Sequence, residues 1–174
     1  MRGVPLVIAC ALVVALGGCG GGGGARDVTN PAKGGFIAGA DEVCAAHLRA
    51  MITWLNQPQT GPNWRQQAAQ DEGVFEIMDR SIRSLEALGP APGPGVQAFA
   101  GYLKTMKARA SLFRLTSVAF QRRDTVSALG FERRVKEIDA QGDRFAHSYG
   151  LRICGTGLPD VAKAFDAAGW IPKK

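Results

Sequence analysis

Histidine is nearly absent from this 174-residue chain, which holds two, His47 and His147. There is no Cys-x-x-Cys-His run, so covalent c-type haem has no attachment point. Nor is there a glycine-rich phosphate loop, a Gly-x-Ser-x-Gly elbow or a Glu-x-x-His pair of the kind that holds two irons in a bundle. These gaps remove nucleotide hydrolysis, serine-type acyl transfer and carboxylate-bridged metal chemistry from the reading, and the chain is read as non-enzymatic. Aromatics make up 7% of the residues. Runs of β-branched residues are scarce beyond the N-terminus, which argues against strands. After the first sixteen residues no long apolar run recurs, so no membrane-spanning helix is expected beyond them.

What is present begins with that N-terminal run. Met1 and Arg2 are followed by the thirteen apolar residues of Val4 to Leu16, "VPLVIACALVVAL". A spanning helix needs about 20, so the run has the length of an export signal. The small residues Gly17 and Gly18 follow, then Cys19. Leu16-Gly17-Gly18-Cys19 resembles the lipobox of bacterial lipoproteins: a branched apolar residue, two small residues and a cysteine. The resemblance implies cleavage after residue 18, with the Cys19 thiol carrying a diacylglyceryl group. Two or three acyl chains would hold the protein to the outer face of the cell membrane. Residues 19–38 are then expected to form a flexible tether. The glycine-rich stretch Gly20 to Gly35 reaches on the order of 20 Å root-mean-square.

Residues 39–174 form the expected domain, Ala-, Leu- and Arg-rich and therefore helical. Four amphipathic segments can be traced. The first, Asp41 to Asn56, places Cys44, Leu48, Met51 and Leu55 on one face, with Asp41 near its start as a cap. The second, Asn63 to Leu88, aligns Phe75, Met78, Ile82 and Leu85 and ends at "GPAPGPG". The third alternates steps of three and four through Val96, Phe99, Leu103, Met106, Ala110, Phe113, Ser117 and Phe120. The fourth, Asp124 to Tyr149, continues with Ala128, Phe131, Val135, Ile138, Gly142 and Phe145. Gly142 on a core face implies close approach by a neighbouring helix, and Gly150-Leu151 reads as a left-handed cap followed by an apolar contact. An all-α, up-down-up-down four-helix bundle follows from these segments and their short connectors. A short C-terminal helix is expected from Leu158, Val161 and Phe165.

In that topology Cys44 and Cys154 fall at the same end of the bundle, and an even cysteine pair in an exported chain reads as a disulfide. The alternative, a metal site from Cys44-x2-His47 and His147-x6-Cys154, is set aside because Gly150 breaks the helical register of the second pair. No metal or other cofactor is assigned. His47 and His147 are read as surface or boundary residues. Met51, Met78 and Met106 are read as core fillers. Trp54, Trp64 and Trp170 stand at segment ends, where they cap the core or line a groove.

Charge is unevenly spread. Val96 to Arg152 carries eleven basic and five acidic residues, against six and eight in Ala25 to Gly95. Lys104, Lys107, Arg114 and Arg122 lie close together on the non-core side of the third segment, a candidate contact for an anionic surface. The domain also resembles small exported helical proteins of high-GC Gram-positive bacteria. The likeness is carried by "DEVCAA" at Asp41–Ala46, "LEALGPAPG" at Leu85–Gly93 and "AHSYGLRIC" at Ala146–Cys154. It implies a disulfide-closed bundle and no particular activity. The reading is a lipid-anchored, non-enzymatic binding module of the cell envelope. Its expected partners are the membrane, through the anchor, and an envelope protein or anionic polymer, not nucleic acid. The alternative is a carrier that holds a hydrophobic ligand, metal or haem between its helices, which an internal cavity with inward His47 or Trp54 would favour.

Overall fold

The computed structural model describes residues 30–58 and 63–155. Cys19, the glycine run and the expected C-terminal helix lie outside them. Four helices pack in up-down-up-down order: α1 (Pro31–Leu55), α2 (Asn63–Ala87), α3 (Val96–Gln121) and α4 (Thr125–Tyr149). There is no strand among the described residues. No helix among them is long and apolar enough to cross a membrane.

Helices α2, α3 and α4 begin and end within a residue or two of their sequence-predicted limits. Helix α1 does not: it starts ten residues before Asp41, and the last part of the expected tether is helical. The cause is local. Asn30 caps the helix by accepting a hydrogen bond from the Lys33 N–H at 3.1 Å, and Pro31 follows in the first turn, where its missing N–H costs nothing. Phe36 and Ile37 then reach the core, with Phe36 edge-on to Phe99 at 4.9 Å and to Tyr149 at 5.9 Å. That burial outweighs the poor helix propensity of Gly34 and Gly35.

Asp41, expected as a cap for α1, lies inside that helix and serves another element. Its Oδ1 accepts hydrogen bonds from the backbone N–H groups of Arg152 at 3.0 Å and Ile153 at 2.9 Å. The carboxylate thus fixes the chain leaving α4 against α1. Gly150 ends α4 at φ 104°, and Leu151, 2% exposed, donates its N–H to the Ala146 carbonyl while packing inward.

Helix α3 is the central element. Of its expected stripe, Phe99, Met106, Ala110, Ser117 and Phe120 are buried, Leu103 and Phe113 are half-buried and Val96 is exposed. Tyr102, Thr105, Leu112 and Thr116 are buried besides. Helix backbones come close along three seams: α1–α2, α2–α3 and α3–α4. Small residues make this possible. A Cβ at Gly101 would stand 2.9 Å from the Phe145 ring, and one at Gly142 would stand 3.0 Å from Thr105 Oγ1. Gly142 therefore has the close neighbour its position implied. At the α1–α2 seam Trp54 lies flat on Gly73 and donates its Nε1–H to the Gln70 carbonyl at 3.1 Å. Across α2–α3 the Ser117 hydroxyl donates to the Ala68 carbonyl at 2.8 Å. No seam of similar extent joins α1 to α4.

Candidate functional site

The missing fourth seam leaves a cleft between α1 and α4, with α3 behind it. Its volume is about 470 Å³, within the range of small-molecule sites. Leu48 and Met51 of α1, Met106 of α3 and Ile138 of α4 give it largely apolar walls. One end is closed by Cys44 and Cys154, which are joined in a disulfide with Cα atoms 5.3 Å apart. Both cysteines are buried, and the Tyr102 hydroxyl sits 3.5 Å from Cys44 Sγ.

Polar groups face the cleft from three helices: His47 of α1, Arg109 of α3, and Asp139 and Asp143 of α4, with Lys136 at an exposed edge. The Ser81 hydroxyl donates to the Ile77 carbonyl at 2.9 Å, which commits its only proton. The 3.0 Å contact between His47 Nδ1 and Ser81 Oγ therefore has Nδ1 as donor, and Nε2 is left as an acceptor. Burial lowers the His47 pKa to about 4, with the Arg109 charge adding to the effect, so the ring is neutral at physiological pH.

Arg109 Nε lies 3.0 Å from Asp139 Oδ1. Both atoms are buried, yet neither makes an aligned hydrogen bond to a described residue. The guanidinium carbon also stands 5.7 Å from the Phe113 ring centroid. Burial raises the Asp139 pKa against the pull of Arg109. Burial and the neighbouring Asp139 raise that of Asp143. The Tyr102 phenol is pushed well above its ordinary range by burial and stays protonated.

The sequence-predicted site residues are spread over several places. Cys19 is outside the described residues. Lys104, Lys107, Arg114 and Arg122 are all exposed, away from the cleft. Two of them work on the α2–α3 seam: Lys107 Nζ pairs with Glu86 at 2.6 Å, and the Arg114 guanidinium lies 5.4 Å from the Phe75 ring centre. His147 is exposed, as expected, while His47 is half-buried at the cleft. Met51, Met78 and Met106 are buried in the core, and the first and last also line the cleft. The guanidinium carbons of Arg65 and Arg123 lie 4.9 and 5.0 Å from the centre of the Trp64 ring.

Sequence reasoning did not single out Arg109, Asp139 or Asp143. A usable signal existed: Arg109 directly precedes the core residue Ala110, and Asp139 follows the core-facing Ile138, so each charge borders an apolar stripe. No group of three or more potential metal ligands occurs among the described residues. No family model matches the chain, and no curated protein or solved structure is similar enough to count as a match.

Proposed function

We propose that this protein is an exported lipoprotein, anchored through Cys19 to the outer face of the cell membrane. Its helical domain is a non-enzymatic binding module that acts through the cleft between α1 and α4. The anchor rests on Leu16-Gly17-Gly18-Cys19 after a short apolar run. The Cys44–Cys154 disulfide fits an oxidising compartment. The observation that carries the binding reading is the cleft itself, roomy, mostly apolar and faced by a few convergent polar groups. Binding is favoured over chemistry because the nearby hydroxyls of Thr105 and Ser81 are tied to backbone carbonyls.

Two measurements test this reading. Mass spectrometry of the protein from the membrane fraction should find Cys19 acylated at the new N-terminus; an unmodified N-terminus at another position rejects the anchor. The neutral fluorescent amphiphile N-phenyl-1-naphthylamine should bind the protein saturably, one molecule per chain. Ile138→Trp, which fills the half-buried edge of the cleft, should remove that binding without lowering the melting temperature. Absent binding, or binding indifferent to Ile138→Trp, rejects the cleft as the site.

A second surface is supported by the exposure of Lys104, Lys107, Arg114 and Arg122. An acidic envelope polymer or protein would meet the domain there, with affinity that falls as salt is raised.

A further inference from the structure

The cleft's polar lining narrows the ligand class, a step that rests on the cleft being the binding site. Its four charged groups are Arg109, Lys136, Asp139 and Asp143, so formal charge alone selects no ligand. Their surroundings differ. An arginine keeps its charge under all ordinary conditions, whereas burial opposes the ionised form of both aspartates.

The partnership of Arg109 with Asp139 is also incomplete. The closest contact runs from Nε, at one edge of the guanidinium, and it lacks hydrogen-bond alignment despite the burial of both atoms. Arginine carries four further N–H donors on its two Nη atoms, in a planar fork that matches a carboxylate, sulfonate or phosphate. The neutral His47 faces the same cleft, and the α3–α4 half of the domain has eleven basic residues against five acidic. Lys136, one of those eleven, stands at the edge of the cleft, where an incoming anion would meet it first.

We infer that the cleft takes an anionic amphiphile, its acidic head on Arg109 and its apolar body along Leu48, Met51, Met106 and Ile138. Asp139 competes with the ligand head for the guanidinium and Lys136 guides the head in. A ligand with a cationic head would bring a second cation beside Arg109, where Asp139 already faces the guanidinium and Asp143 alone is left to receive it.

The test pairs two probes of similar shape on the full chain: neutral N-phenyl-1-naphthylamine and anionic 8-anilino-1-naphthalenesulfonate. The anionic probe should bind at least tenfold more tightly. Arg109→Gln should weaken it tenfold or more and shift the preference between the two probes toward the neutral one, and Arg109→Lys should recover part of the loss. Asp139→Asn, which removes the competitor, should tighten the anionic probe severalfold. A purely structural role for the pair predicts the opposite, so weakening by Asp139→Asn overturns the inference. Hexadecanoic acid should displace the anionic probe, and hexadecyltrimethylammonium should not; the reverse order also overturns it. If the neutral probe binds and the two charged classes are treated alike, the cleft stands and the anion preference falls. If neither probe binds, the cleft reading falls and the inference with it. Binding that appears only after Leu158 and Phe165 are changed to Ser means the chain's own C-terminal residues occupy the cleft, and rejects both.

Discussion

The two long flanks of α4 have opposite character. Toward α3 the helices pack closely, with the Phe145 ring against Gly101 and the Thr105 side chain against Gly142, without spare room. Toward α1 there is no matching seam, and the space holds the cleft with its charged lining. The difference comes from side-chain size and polarity at equivalent heights. Glycines permit contact on one flank; on the other, a histidine of α1, two aspartates of α4 and a half-buried arginine of α3 line the space, and each needs solvent or a partner. One flank is closed, the other open.

The largest expected effect comes from removing the link that spans the open flank. Cys44 and Cys154 are 110 residues apart, and a loop of that order is valued at about 4.7 kcal/mol in the chain-entropy model. The double substitution to Ala should cost about 4 kcal/mol in urea unfolding and should also weaken ligand probes. A loss under 1 kcal/mol would mean that the closed seams alone define the fold.

On the closed flank, Gly101→Val places atoms against the Phe145 ring and should cost about 3 kcal/mol. Unchanged stability would show that Phe145 has somewhere else to go. Ile138→Val, on the open flank, should cost under about 1.5 kcal/mol because solvent already reaches it.

Acid should distinguish the flanks as well. His47 is neutral in the fold, its pKa lowered to about 4, but titrates near 6.5 when unfolded. The unfolded chain thus binds the extra proton first. The stability due to a neutral His47 is intact above pH 6.5 and lost as pH falls toward 4, by at most about 3 kcal/mol. Asp71 works in the other direction. Burial, with Glu132 adding, raises its pKa to about 7. Its contribution is present below the ordinary aspartate pKa and lost as pH rises through 7, lessened by its partial exposure. Asp139 and Asp143, also raised, act in the same sense as Asp71. The parent should therefore change little between pH 7 and 4. His47→Gln should gain stability on acidification, and Asp71→Asn should lose it; parallel profiles for all three would rule out this opposition.

The smallest expected effect lies at the turn between α3 and α4. Arg123 holds φ 60° there, the only described non-glycine residue with positive φ. Arg123→Gly should relieve up to about 1 kcal/mol of strain, less whatever its contact with Trp64 contributes. A lower melting temperature would show that the Trp64 contact dominates.

Much of the closed architecture was legible in the sequence. Three helices, their faces and the pairing of Cys44 with Cys154 follow from periodicity, glycine and proline punctuation and the end-to-end logic of a bundle. The start of α1 was hidden because Gly34 and Gly35 read as linker, although Asn30-Pro31 is a helix-start signal. The cleft was not legible. Helical spacing says which face of a helix turns inward, not whether two inward faces meet. Asp41 capping the chain at Arg152 and Ile153, or Arg109 meeting Asp139, depends on neighbours far away in sequence.

Helix α1 can be regarded as a beam on two supports. One is the disulfide at Cys44, reinforced by Asp41; the other is Trp54, seated on Gly73 of α2. His47, Leu48 and Met51 all lie along the span between them, about 15 Å at the rise of an α-helix. A beam fixed at both ends does not swing. Under the proposed function, a ligand would then meet an opening already shaped by these two supports, without waiting for the protein to close around it.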